Sequence, residues 1–215
     1  MSTFLLIILL VVNTGVSIWD AYIAGRIWRE STGFMKLVAW ASVIISACGF
    51  LSVSTFLLAR GAVAVNLMTE AQFSIVLKLT FVLMVVPVLS AGAVITIQSW
   101  IDAIKTRSLT SGGVAAWNTF AQIANTVEAV ESTGGFLRDI FDYFNDDDSD
   151  EEDEGIGKTG IIVIVFIAAA ISVGLTYLFW GKGRLRAISD EINEARERAT
   201  QTYLPYSGAI REPSA

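Results

Sequence analysis

The sequence predicts an all-α fold, a polytopic helical membrane bundle, and three observations carry that expectation. Hydrophobic residues make up 53% of the 215-residue chain and charged residues only 17%, too few to coat a water-facing surface. The apolar residues are gathered into runs of about twenty, the length at which a helix crosses ~30 Å of hydrocarbon. The charge is gathered too: nine of the 21 acids fall between Asp142 and Glu154, and the rest of the chain, with 12 acids against 15 bases, is mildly basic.

The first apolar run gives a span over 4–24. No basic segment precedes it and no small-x-small cleavage pattern follows it, so it reads as a membrane helix rather than a removed signal peptide. Further spans follow at 37–58, 73–97 and 158–181. Between them, 109–130 is less apolar yet carries no charge until Glu128, which suits a fifth, amphipathic or re-entrant helix. The bases discriminate between the two topologies. With four crossings they divide equally between the two sides. If 109–130 also crosses, Arg26, Arg29, Lys36, Lys105, Arg107, Lys182, Arg184, Arg186, Arg196, Arg198 and Arg211 share one side, leaving Arg60, Arg138 and Lys158 opposite and Lys78 within a span. The positive-inside rule then favours five spans with the N-terminus and acidic loop outside and the C-terminus cytoplasmic. Four spans plus a re-entrant or surface helix is the rival.

The remaining segments divide the chain into a membrane bundle over 1–135, an aromatic and acidic extramembrane loop over 136–157, the final span, and a cytoplasmic amphipathic helix with a loose tail over 182–215. Gly181 to Arg184 reads as the end of the last span, and Glu194 and Arg198 are spaced for an i,i+4 pair while Asp190 faces water. Self-repulsion among Asp146, Asp147, Asp148, Asp150, Glu151, Glu152, Asp153 and Glu154 suits a solvated spacer. Its field would attract a basic partner or, weakly, divalent cations, but the ligand spacing of an EF-hand is absent.

Polar residues within spans are costly and therefore informative. Asn13, Ser17 and Asp20 share one side of the first span; Asp20, between Trp19 and Tyr22, also fits a simple interfacial role, reaching headgroups or Arg26. Ser42, Ser46, Gly49 and Ser52 form a small-residue stripe suited to close helix packing. Lys78 lies several residues into the third span, either lining a path or snorkelling to the outer interface, and Pro87 should kink that helix unless it separates two shorter ones. Asn118, Gln122, Asn125 and Glu128 recur at helical spacing. They suit internal packing or an interfacial helix, and less readily a conduit.

No histidine is present and Cys48 is the single cysteine, which excludes an internal disulfide, a cysteine or histidine metal site and histidine acid–base chemistry. No nucleotide-binding, hydrolase or metalloprotease motif occurs; Gly155-Ile-Gly-Lys-Thr lacks the full phosphate-loop spacing. No cofactor is implied. Nucleic acid is not an expected partner, because acids interrupt the tail's bases. The expected role is a non-enzymatic membrane assembly or scaffold subunit among lipids, in a homo-oligomer or hetero-complex. A channel or small-solute transporter subunit using Asp20, Lys78 and the Asn118-Gln122-Asn125 stripe is the alternative. Five lysines against ten arginines, with abundant acid, resembles in composition the proteins of salt-loving archaea or their viruses.

Overall fold

The computed structural model describes residues 3–28, 33–145 and 155–203, with side chains through Arg198, and the described residues form five helices: α1 (Thr3–Ile27), α2 (Phe34–Ala64), α3 (Glu70–Thr106), α4 (Leu109–Asn145) and α5 (Gly157–Tyr203). Four of them, α1, α2, α3 and α5, are long and apolar enough to cross a membrane. The chain is a helical membrane-spanning bundle.

Short connections make sequential neighbours antiparallel. Helix α2 stops where Asn66 adopts φ 57° and its neighbour Leu67 donates back to the Ala62 carbonyl, satisfying an end carbonyl that would otherwise be orphaned. Thr69 then caps α3, its hydroxyl accepting from the Gln72 amide while the Gln72 side chain accepts from Thr69 N–H. At the other end of α3, Arg107 takes the left-handed conformation, φ 51°, and only Arg107 and Ser108 separate it from α4.

The helices pack in the lateral order α4, α3, α2, α1, with α5 seated against both α1 and α2. Helix α4 packs chiefly on α3, and does so along its whole length. Thr106 bonds Ser111 at one end, Gln122 reaches Leu89 in the middle, and Lys78 pairs with Asp139 toward the other. Helix α4 does not stop at 130, where the expected segment ends. Nor does a loop begin at 136: the aromatic residues Phe136, Phe141, Tyr143 and Phe144 belong to the last turns of α4, where Phe136 meets Phe81 edge-on. Likewise the last span and the helix expected after it are one continuous helix, 47 residues or about 70 Å long. Pro87 lies inside an unbroken α3 rather than between two helices. The candidates Asp146, Asp147, Asp148, Asp150, Glu151, Glu152, Asp153 and Glu154, and the tail 204–215, lie outside the described residues.

This topology sorts charge and aromatic residues by height. One end of the bundle, where α1 and α3 finish and α2 and α4 start, gathers Arg26, Lys36, Lys105, Arg107 and the basic second half of α5. The opposite end holds Arg60, Glu70, Asp139, Asp142 and Lys158. All six tryptophans, Trp19, Trp28, Trp40, Trp100, Trp117 and Trp180, lie toward the basic end, as a girdle at a headgroup boundary would. From Trp40 to Arg60 along α2 is about 30 Å, one hydrocarbon thickness.

Candidate functional site

The buried polar groups join α1, α2 and α5. Ser46, fully buried, donates from α2 to the Ser17 carbonyl at 2.7 Å, and Ser17 itself donates to the Asn13 carbonyl at 2.8 Å. Asn13 reaches the Gly49 carbonyl at 3.5 Å. From α5, Ser172 donates to the Ala47 carbonyl at 2.5 Å. Such interhelical bonds contribute about 0.6 kcal/mol each on average, so their main effect is to fix register between faces that apolar packing alone leaves free to slide. Close approach is enabled by glycine. A Cβ on Gly49 would run into the Ser17 hydroxyl, one on Gly25 into the Trp180 carbonyl, and one on Gly183 into the Tyr22 carbonyl.

In the small-residue stripe, Ser42 and Ser46 are buried, Gly49 lies against α1, and Ser52 is half-buried. Sequence reading does not find the answering residues Gly25, Ser172 and Gly183. Ser17, Ala21 and Gly25 do recur every four residues on α1, a small-residue spacing that signals close helix packing.

The candidate path residues are not brought together. Asp20 belongs to α1, which packs on α2 and α5, whereas the α4 stripe packs on α3. Arg26, offered as a partner for Asp20, instead meets Asp190 of α5 at 3.4 Å, and Arg186 meets the same carboxylate at 3.3 Å. Asp190 is therefore a half-buried clasp between α1 and α5 rather than a wholly water-facing residue. Glu194 and Arg198 do pair, at 3.4 Å.

Lys78 is the clearest case of a partner hidden by sequence distance. Its ammonium lies 2.6 Å from Asp139 of α4 and 5.9 Å from the Phe136 ring centroid. The pair is half-exposed at the acidic end, a setting in which an ion pair contributes about 0–1 kcal/mol; it aligns α3 with α4 more than it stabilises them. One turn further out, Gln72, almost fully buried, links the α3 cap to the Tyr143 hydroxyl at 3.4 Å.

On α4 the polar stripe divides. Gln122 donates to the Leu89 carbonyl at 3.0 Å and fills the space left by Gly92; the Asn118 carbonyl accepts from Thr96 at 3.4 Å. Asn125 and Glu128 remain exposed beside a groove of about 190 Å³ lined by Phe81, Met84, Val88 and Leu89. Around them α4 also exposes Trp117, Phe120, Ile123, Val127, Val130 and Glu131. Among the described residues, no group of acidic or cysteine side chains is arranged to hold a metal. No protein-family model, curated protein or solved structure matches the chain.

Proposed function

We propose that this protein is a non-enzymatic subunit of a membrane assembly, in which α4 is a fifth crossing whose outer face is covered by another chain, most simply a second copy. The single observation that carries this reading is the position of Glu128. Helix α4 lies antiparallel along α3, and Glu128 falls about 16 Å from Trp117 and about the same from Asp139, near mid-height of the apolar zone. There it is exposed, next to exposed Asn125 and one turn from exposed Glu131. An ionisable side chain facing hydrocarbon costs several kcal/mol, and such residues face protein or water instead. Exposed aromatic and small residues on the same helix offer the packing surface around it.

A second reading rests on the same carboxylate: copies of α4 arranged around an axis would line a polar path with Asn125, Glu128 and Glu131. Native mass measurement after gentle extraction, paired with ion flux in vesicles, tests both. The assembly reading expects a defined stoichiometric oligomer whose mass falls to the monomer in Ile123→Arg, without flux. A monodisperse monomer retained in lipid nanodiscs would reject it. Flux that changes in Glu128→Gln would favour the path.

A further inference from the structure

A second site lies away from α4, at the basic end between α2 and α5. Trp28, Trp40 and Trp180 enclose an apolar cavity of about 350 Å³, completed by Val43, Ala47 and Tyr177. The Trp28 ring stands edge-on to both other tryptophans, with centroids 5.2 and 6.0 Å away, so the wall is rigid and aromatic. One polar side chain stands at this lining with its hydroxyl buried behind it. Thr176 is 5% exposed and lines the cavity, yet its hydroxyl has no hydrogen-bond partner. A buried hydroxyl left unmatched is costly, and threonines in this bundle such as Thr80 and Thr119 bond carbonyls one turn back.

The two lining faces continue toward the headgroup level, and each arrives at a base. On α2 the series Ala47, Val43, Trp40 leads one turn on to Lys36; on α5 the series Val173, Tyr177, Trp180 leads to Arg184. Both bases are exposed, and neither makes an ion pair with a described residue. The Arg184 guanidinium lies over the Trp180 ring, 5.6 Å from its centroid. Thr176 is one turn deeper than the Trp180 beneath that guanidinium, about 6 Å, roughly the drop from a phosphate to the oxygens joining glycerol to its chains.

We infer that this cavity is a binding site for one anionic phospholipid, its phosphate between Lys36 and Arg184, one chain among the three tryptophans, and a glycerol-linked oxygen accepting from Thr176 once that side chain turns into the cavity. Charge complementarity selects the anionic headgroup, and the apolar lining requires the attached chain, which a free phosphate lacks. The site is independent of α4 and of what covers it.

Native mass spectrometry of the full chain, titrated separately with phosphatidylglycerol, phosphatidylcholine and glycerol 3-phosphate, tests the assignment. One phosphatidylglycerol should be retained per chain, in preference to phosphatidylcholine, with no retention of glycerol 3-phosphate. Arg184→Gln should weaken phosphatidylglycerol by roughly fivefold, the effect of one base near an anionic surface, and leave phosphatidylcholine unchanged. Ala47→Phe should abolish the one-per-chain adduct by filling the cavity. Equal retention of the two phospholipids overturns the inference, as does retention of glycerol 3-phosphate or an adduct that survives Ala47→Phe in a folded protein. If Ala47→Phe does not fold, Lys36→Gln with Arg184→Gln decides, because both positions are exposed and unchanged retention there overturns the site.

Discussion

At the residue scale, the bundle is governed by where a side chain is missing. Alanine is favoured over glycine in a helix by about 1 kcal/mol, so propensity alone makes any helical glycine replaceable. Gly25 is different because an added methyl would meet the α5 backbone at the Trp180 carbonyl, and backbone cannot swing away as a flexible side chain does. Overpacking of this kind costs about 1–3 kcal/mol, enough to outweigh the propensity gain. Gly25→Ala is therefore expected to destabilise the protein, and Gly174→Ala, where nothing stands within 4 Å, to be neutral or mildly stabilising. Unfolding in a graded detergent mixture measures both; a stabilised Gly25→Ala would refute the backbone contact.

At the element scale, α4 differs from the others in having essentially one neighbour. Helix α2 is held by α1, α3 and α5, whereas α4 rests on α3 and otherwise exposes its surface. Local opening free energy falls with the number of buried contacts, so α4 is expected to exchange its amide hydrogens before the middle of α2 in detergent-solubilised monomer. Assembly should then protect α4 and leave α2 unchanged. Equal protection of the two helices in the monomer would argue against a bundle in which α4 is peripheral. Sequence reading is unequal across these elements for the same reason. The four apolar spans are readable because the requirement to cross hydrocarbon is met by residues adjacent in the chain. The last turns of α4 are not, because Phe136 and Tyr143 are held in a helix by Phe81 and Gln72 of α3, contacts that no local pattern records. Gly181 and Gly183, read as the end of the last span, lie inside one continuous α5, and Gly183 serves the approach to Tyr22, a role no local pattern records. In the candidate site, the stripe of Ser46 and Gly49 is readable from spacing, while Asp139 as the partner of Lys78 lies 61 residues away.

At the scale of the whole molecule, charge, tryptophan and helix direction give one consistent orientation. The five helices alternate in direction, and α4 has the same height as α3, so the end of α4 meets Lys78 and the start of α5 packs with Ala59, while the second half of α5 meets Arg26. The end of α4 and the start of α5, between which the sequence carries its acidic run, therefore lie opposite the tryptophan girdle. Translocating a cluster of acids opposes the positive-inside bias far less than translocating bases, so the basic, tryptophan-rich end is expected to be the cytoplasmic one. Single cysteines placed at Ser149 and Ser189 in a Cys48→Ala background test this in sealed membranes with an impermeant thiol reagent. The Ser149→Cys variant should label from outside and Ser189→Cys only after permeabilisation. Labelling of both from the same side would mean that α4 does not cross, and Glu128 would then no longer stand at mid-membrane or require a partner to cover it.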